Sequence, residues 1–183
     1  MPNPTLGIIG GGQLGSLLSV AAQKLNIKTV ILSDDTNAPA KNFSPNFICG
    51  NYEDEKIIND FISKVDLVTF EFENIPYKVL KDINNNKTVL PKPEINQLIQ
   101  NRYTEKDFLN KNDIRTTRYT LIKDEDEIKI NQSLIPGILK TCTLGYDGKG
   151  QYKINSLNEI SNLNIDFNNE YILEKIITLK KEL

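Results

Sequence analysis

A glycine cluster near the N-terminus constrains the fold of this chain more than any other feature. Thr5–Ile9 is a short apolar run, and Gly10-Gly11-Gly12-Gln13-Leu14-Gly15 follows it directly. Apolar residues then recur at helical spacing over residues 14–25. The segment therefore predicts a strand, a tight turn and an amphipathic helix, the opening of a βαβ unit.

The rest of the N-terminal half continues this alternation. Strands are predicted over residues 28–32, Phe47–Cys49 and 65–72, and a helix over Glu55–Ser63. Strands separated by helices in this order predict a Rossmann-like parallel sheet with helices on both faces. The expected fold class of this half is α/β.

The pattern changes at the rigid Pro91-Lys92-Pro93 segment. Helices are predicted over residues 95–99 and 103–110, strands over 118–122, 137–142, 151–154 and 171–176, and short helices from Asp124 and Ser156. The strands over 137–142 and 151–154, joined by a glycine-rich turn, predict a hairpin. We therefore expect one domain over residues 1–90 and a second over 91–183.

The first glycine loop satisfies the G-x-G-x-x-G pattern in the context that dinucleotide binding requires. Glycines let backbone amides at a helix N-terminus approach a phosphate. Asp34 and Asp35 follow roughly 20 residues later, where an acid that binds a ribose would lie. An NAD-binding oxidoreductase is thus one interpretation, and a tight turn that merely packs against a sheet is the other.

Two glutamates lie near the end of the strand predicted over residues 65–72. Period-two geometry places Glu71 and Glu73 on one face and apolar residues on the other. Ligands of open parallel sheets bind beyond the carboxyl ends of the strands. Glu73 is therefore a candidate ligand contact, and Glu71 a weaker one, unless the strand is an edge strand with a hydrated face.

A second glycine-rich segment lies between two predicted strands, from Lys140 to Gln151. A hairpin of this kind can cover a triphosphate with backbone amides, while the strand lysine supplies a positive charge. It differs from a Walker A loop, because Gly148-Lys149-Gly150 leads into a strand and not a helix. The alternative is a surface hairpin with flexible glycines.

Composition excludes several classes of function. The net charge of −2 offers no excess positive field for nucleic acid. The chain contains no histidine, which excludes Ser-His-Asp and Cys-His catalysis, and only two cysteines, which fits a reducing cytoplasm. No apolar run reaches membrane-spanning length.

The order of several motifs resembles the ATP-grasp enzymes, and within them the 5-(carboxyamino)imidazole ribonucleotide synthases of purine biosynthesis. The segments that carry this resemblance are Gly10 to Gly15, Asn37-Ala38-Pro39-Ala40, Phe70-Glu71-Phe72-Glu73-Asn74, Asn101-Arg102-Tyr103-Thr104-Glu105-Lys106, Gly145 to Gln151, and Leu173-Glu174-Lys175. The resemblance implies a Rossmann-like pre-ATP-grasp domain that binds no NAD, followed by the first part of an ATP-grasp α+β domain. It also implies that ATP and bicarbonate form carboxyphosphate, which carboxylates the amine of 5-aminoimidazole ribonucleotide.

The resemblance also implies roles for individual residues. The implied ATP contacts are Arg102, Lys140, Gly145, Tyr146, Asp147, Gly148, Lys149, Gly150, Gln151, Glu174, Lys175, Ile176, Ile177 and Glu182. The implied ribonucleotide contacts are Gln13, Glu73 and Tyr146. The implied catalytic residues are Lys140 and Asp147, with Asp147 orienting or deprotonating the attacking amine.

Members of the family run to about twice this length, so the resemblance further implies a chain that is an N-terminal fragment and inactive alone. Magnesium is an implied cofactor, with ligands beyond residue 183, and the full-length protein is expected to be a homodimer. A formate-dependent glycinamide ribonucleotide transformylase of the same superfamily has a similar first loop and is the nearest alternative. The Tyr146-Asp147 pair favours the carboxylating enzyme.

Overall fold

The computed structural model describes residues 4–145 and 149–178. The chain divides into two compact units, Met1–Gln97 and Leu98–Leu183. The domain boundary expected at residue 90 stays a prediction of the sequence.

The first unit is built on a parallel sheet with strand order β3-β2-β1-β4-β5. Its strands are β1 (Thr5–Ile9), β2 (Lys28–Ser33), β3 (Phe47–Cys49), β4 (Leu67–Phe70) and β5 (Thr88–Val89). Its helices are α1 (Gln13–Lys24), α2 (Glu55–Ser63) and α3 (Tyr77–Asn84), and α4 (Pro93–Ile99) runs across the unit boundary. The parallel α/β architecture expected from the sequence is confirmed.

The two faces of this sheet are covered by different elements. On one face, Ile9 and Leu32 pack with Phe61 of α2 and with Leu80 and Ile83 of α3. On the opposite face, the alternate residues of the same strands pack against the 3-10 turn over Pro39–Asn42 and are buried there. Because β1 and β2 are covered on both faces, their sequences are nearly continuous apolar runs.

Helix α1 packs through small residues and not through its leucines. Its buried face includes Ser19, whose hydroxyl lies 3.0 Å from the Thr29 hydroxyl, which in turn donates to Ser44 over 3.2 Å. The leucines that predicted an amphipathic helix lie on the exposed side: Leu14, Leu17, Leu18 and Leu25. The helix itself is confirmed, but its leucine face does not contribute to the core of this unit.

The second unit contains an antiparallel sheet with strand order β6-β9-β7-β8. Its elements are α5 (Arg102–Lys111), β6 (Tyr119–Ile122), α6 (Glu125–Ile130), β7 (Gly137–Thr141), β8 (Gln151–Ile154) and β9 (Tyr171–Lys175). One face of this sheet forms a buried cluster with α6, which includes Ile122, Ile128, Leu139, Ile154 and Leu173. Because side chains alternate along a strand, the strand residues directly before and after these lie on the opposite face of the sheet.

Some predicted boundaries differ from the structure. Strand β4 ends at Phe70, so Glu71 and Glu73 follow the strand and do not share a strand face. Helix α3 and strand β5 were not predicted. The helix expected from Ser156 is a 3-10 helix, Leu157–Asn162, and the Ser156 side chain does not cap it. The Glu159 carboxylate supplies the stabilising contact instead, accepting from the Asn155 amide over 2.9 Å.

Within the described ranges, no helix combines the length and apolar character needed to cross a membrane.

Candidate functional site

The carboxyl edge of the parallel sheet forms a small cavity of about 230 Å³. The segments that follow β1, β2, β3 and β4 line it, including Gly10 to Gly12, Asp34, Asp35, Tyr52 and Glu71. Loops at this edge are the usual ligand-binding position of an open parallel sheet. The lining here is rich in carboxylates.

Glu71 is structurally tied to the first glycine loop. Its Oε1 accepts a hydrogen bond from the Gly12 amide over 3.1 Å, and its own amide donates to the Ile9 carbonyl. Gly10 adopts a φ of +114°, which favours glycine, and a Cβ there would lie 2.6 Å from the Glu71 carboxylate. A carboxylate thus already binds at the N-terminus of α1. Its negative charge would repel a dinucleotide pyrophosphate, which argues against the NAD interpretation.

The acids expected to bind a ribose have local partners. The Asp35 carboxylate accepts from the Asn37 amide over 2.8 Å. Asp34 lies beside the buried Tyr52, where burial, followed by the negative charge of Asp34, raises the pKa of the Tyr52 hydroxyl to about 12. Tyr52 therefore stays a neutral hydroxyl in the cavity wall at physiological pH.

The structure places the two expected ribonucleotide contacts of the first unit on the segments that follow β1 and β4. Gln13 is the first residue of α1 and is exposed. Glu73 lies three residues beyond the end of β4 and is also exposed. Their roles remain predictions.

In the second unit, Lys140 and Glu174 are brought together on the sheet face opposite the apolar cluster. Lys140 of β7 donates from Nζ to Oε2 of Glu174 on β9 over 2.9 Å. The other oxygen, Oε1, lies 3.4 Å from Nζ of Lys106 on α5. Glu174 is only 8% exposed. This carboxylate is therefore held between two ammonium groups.

Arg102 contacts the segment that leads into the second glycine loop. Its guanidinium donates to the Thr141 carbonyl over 2.9 Å and to the Gly145 carbonyl, and its backbone amide donates to the Cys142 carbonyl over 2.9 Å. The residue expected to bind phosphate thus also anchors the base of the loop. Asn101 caps α5 at this point by accepting from the Tyr103 amide over 2.9 Å.

The two ends of the loop are closed by β-sheet contacts and glycine packing. The Thr141 amide donates to the Gly150 carbonyl over 2.9 Å, and Gly150 has a φ of +67°. A Cβ at Gly145 or Gly150 would lie 2.7 Å from Thr141 Oγ1, so both ends require glycine. Lys149 and Gln151 are exposed on the return side. The expected contacts Tyr146, Asp147, Gly148 and Glu182 lie outside the described residues.

The segment expected to hold adenine, Glu174 to Ile177, begins in β9 and leaves the sheet. The Lys175 ammonium donates to the Ile135 carbonyl over 2.8 Å, and the Ile176 amide donates to the Pro136 carbonyl over 3.3 Å. The Lys175 side chain is therefore engaged by backbone carbonyls of the segment before β7. Ile177 is exposed.

Sequence reasoning did not identify Lys106 as a site residue, nor Glu71 as the partner of the first loop. Lys106 lies four residues after Arg102 in α5, and this spacing places both on one helix face. This spacing is the sequence feature that could have identified Lys106 as a neighbour of Arg102 in the site.

The described residues do not form a metal site. Among them, no group of three His, Cys, Asp or Glu side chains could hold a metal ion. The magnesium ligands that the resemblance implies lie beyond residue 183, so that expectation stays a prediction.

Two family models match the chain in succession. Residues 3–100 match the ribonucleotide synthetase preATP-grasp domain, and residues 107–183 match the ATP-grasp domain. The fold class expected from the sequence, a preATP-grasp part followed by an ATP-grasp part, is confirmed.

Curated relatives carry the name N5-carboxyaminoimidazole ribonucleotide synthase. The protein of Brucella melitensis biotype 1 is 39% identical over 160 residues, which cover 86% of this chain and 44% of the relative. The protein of Staphylococcus aureus strain COL is 36% identical over 182 residues, which cover 98% and 49%. The chain thus spans about half the length of these relatives.

Solved structures agree with this relationship. An N5-carboxyaminoimidazole ribonucleotide synthetase solved with ADP is 33% identical with a TM-score of 0.90, over 98% of this chain and 48% of that one. The Aspergillus clavatus synthase solved with ADP and 5-aminoimidazole ribonucleotide is 25% identical with a TM-score of 0.84, at the same coverages. The preATP-grasp model matches residues 3–100, which are more than half of this chain. The chain therefore belongs to the ribonucleotide synthetase preATP-grasp family.

Proposed function

We propose that this chain supplies the preATP-grasp domain and the first part of the ATP-grasp domain of an enzyme that carboxylates 5-aminoimidazole ribonucleotide. One observation carries the nucleotide half of this proposal. Lys106 and Lys140 both contact one buried carboxylate, Glu174, and Arg102 binds backbone carbonyls at the base of the glycine-rich loop that follows Lys140. Two ammonium groups share this single carboxylate, and the Arg102 guanidinium adds a further positive charge beside the loop, which suits a polyphosphate.

The chemistry is an ATP-dependent carbon–nitrogen ligation in purine biosynthesis. A bicarbonate oxygen bonds to the terminal phosphorus of ATP, and the bond to the bridging oxygen breaks, releasing ADP and forming carboxyphosphate. The ribonucleotide amine then bonds to the carboxyl carbon, phosphate leaves, and the amine loses a proton. This reaction depends on positioning and charge neutralisation more than on a nucleophilic side chain, which suits a chain without histidine.

Each predicted site residue has a part in this proposal. Arg102 and Lys140 bind ATP phosphates, and the loop from Gly145 to Gln151 covers them with backbone amides. The segment from Glu174 to Ile177 holds adenine and Glu182 the ATP ribose. On the acceptor side, Gln13, Glu73 and Tyr146 bind the ribonucleotide, and Asp147 orients or deprotonates its amine.

Three further expectations belong to the proposal. The reaction uses magnesium, which would neutralise charge on the phosphates, with ligands other than the described residues. The full-length enzyme acts in the cytoplasm. It is a homodimer.

Nucleotide titration tests the ATP half of the proposal. We expect calorimetry to detect ATP and ADP binding by the 183-residue chain and no binding of NAD⁺. Lys140→Ala and Arg102→Ala should each weaken ATP binding by about tenfold or more, since a charge-assisted contact contributes roughly 1.5–3 kcal/mol. Lys24→Ala, an exposed lysine on α1, is the control. Tight NAD⁺ binding without a response to ATP would refute the proposal.

A phosphate-release assay tests the reaction itself. ATP, bicarbonate and 5-aminoimidazole ribonucleotide are supplied together, and formate with glycinamide ribonucleotide replaces the last two in a parallel arm. We expect the 183-residue chain to bind ATP without sustained turnover, and a relative of full length to respond to bicarbonate only. Sustained turnover by the chain would contradict the expected inactivity, and a response to formate would favour the transformylase.

A further inference from the structure

Lys106 lies on the same face of α5 as Arg102 but points to a different partner. Its ammonium is 3.4 Å from Oε1 of Glu174 and 5.8 Å from the centroid of the Tyr119 ring. Tyr119 is the cross-strand neighbour of Glu174 in the β6–β9 ladder, so ring and carboxylate lie side by side. Lys106 thus bridges α5 to two neighbouring side chains of the sheet.

This arrangement differs from an ordinary surface ion pair. The side chains of Lys106 and Glu174 are 18% and 10% exposed. On the same helix, the Lys111–Asp107 pair is closer, at 2.6 Å, but its lysine side chain is 72% exposed. Solvent screens the exposed Lys111–Asp107 pair strongly and the largely buried Lys106–Glu174 pair weakly. Lys106 is therefore the α5 lysine whose loss should disturb the site, and Lys111 is its matched control.

The two lysines that contact Glu174 have different roles if one of them also binds phosphate. A buried carboxylate left without a cation is costly. When Lys140 turns toward a phosphate, its share of the Glu174 charge must be neutralised by another group. Lys106 occupies the other carboxylate oxygen and meets that need without moving.

We propose that Lys106 is a positioning residue for the phosphate-binding lysine. It holds Oε1 of Glu174, so that Lys140 bonds Oε2 only and keeps part of its hydrogen-bonding capacity for phosphate. Lys106 acts through Glu174 and does not contact the nucleotide. The proposal rests on the ATP-binding function proposed above for Lys140.

A labelling experiment tests this without any nucleotide. Limited acetylation of the folded chain, read by mass spectrometry, measures the reactivity of the Lys140 amine. In Lys106→Met, Lys140 is the one cation left on Glu174 among the residues that the structure describes, and the Lys140 amine in this tighter pair should label several-fold more slowly. Lys106→Arg should restore the wild-type rate, and Lys111→Met should not change it. An unchanged Lys140 rate in Lys106→Met would overturn the proposal whether or not the chain binds ATP.

A double-mutant cycle tests the consequence for ATP. Lys106→Met should raise the ATP dissociation constant about tenfold, and in the Glu174→Gln background the same change should raise it less than about twofold. Urea unfolding of each variant identifies loss by misfolding, and Lys106→Arg gives a folded comparison. An equal tenfold loss in both backgrounds would mean that Lys106 binds the nucleotide directly, which would overturn the proposal. No ATP binding by the wild-type chain would instead refute the proposed function.

Discussion

The Glu71 carboxylate accepts a hydrogen bond from the Gly12 amide over 3.1 Å, which joins the end of β4 to the start of α1. The contact spans 59 positions of sequence and places a negative charge at a helix N-terminus, where it is stabilising. The first glycine loop therefore contacts a partly buried acid of the same unit. This relationship makes the loop a structural element as well as the rim of a cavity.

Removing this acid should destabilise the first unit. Glu71→Ala is expected to lower the free energy of unfolding by about 1–2 kcal/mol, because a charge-assisted hydrogen bond and a helix-terminus charge are lost. Glu71→Gln, which keeps an acceptor oxygen, should lose less. Urea unfolding followed by circular dichroism measures the change. Glu53→Ala, an exposed control, should stay within about 0.5 kcal/mol. Equal effects of the two alanine variants would contradict the assigned contact.

Two glycines of the loop should differ sharply in their tolerance of alanine. A Cβ at Gly15 would overlap the Gly10 carbonyl oxygen, and Gly15→Ala should cost about 2–3 kcal/mol of stability. At Gly12 the nearest atom would be 3.3 Å away and φ is −71°, so Gly12→Ala should cost less than about 1 kcal/mol. Thermal unfolding of both variants provides the comparison. A Gly12→Ala variant as unstable as Gly15→Ala would show that the loop packs differently.

Tyr52 should make stability depend on alkaline pH. Its pKa is raised from 10.0 to about 12 in the folded protein, chiefly by burial. The folded state thus holds this proton more tightly than the unfolded state, and the resulting stability is full below pH 10 and lost as pH rises through about 12. Between pH 9 and 12, the wild type should lose about 2 kcal/mol relative to Tyr52→Phe in urea unfolding. Parallel curves for the two proteins would contradict the burial of the hydroxyl.

The two cysteines should react at very different rates. Cys49 is exposed at the end of β3, whereas Cys142 is 1% exposed. Burial, with a smaller contribution from Glu170, raises the pKa of the Cys142 thiol to about 11, so little thiolate forms near neutral pH. At pH 8, Ellman's reagent should label one thiol per chain rapidly. Cys49→Ser should abolish the rapid phase, and Cys142→Ser should retain it. A rapid phase that survives Cys49→Ser would contradict this assignment.

Local pattern was sufficient for much of the fold. The strand–glycine–helix start and the helix Glu55–Ser63 are where periodicity and turn residues predict them. Helix α3 was not predicted, because polar lysines and asparagines dominate its segment. Its buried residues Val79, Leu80 and Ile83 nevertheless lie at helical spacing. The end of β4 was placed two residues late, since alternation continues beyond the last ladder residue at Phe70.

The leucines of α1 show where such reasoning stops. Their spacing identifies a helix, but the face that packs is decided by the partner surface. The sheet and the turn at Pro39–Asn42 approach α1 closely through Ser19 and its hydroxyl partners, so the small face is buried and Leu17 is exposed. Hydrophobic periodicity carries no information about that close approach.

By itself, the sequence determined the α/β alternation, the two glycine loops and the residues whose order matches the ATP-grasp enzymes, because these depend on neighbours along the chain. Only the tertiary structure decided which charges meet. Glu71, which follows β4, accepts a hydrogen bond from Gly12, which follows the neighbouring strand β1. Glu174 pairs with Lys140 of β7 and Lys106 of α5. Such contacts depend on strand register and on the position of a helix above a sheet. Short-range patterns of hydrophobicity do not encode either of these.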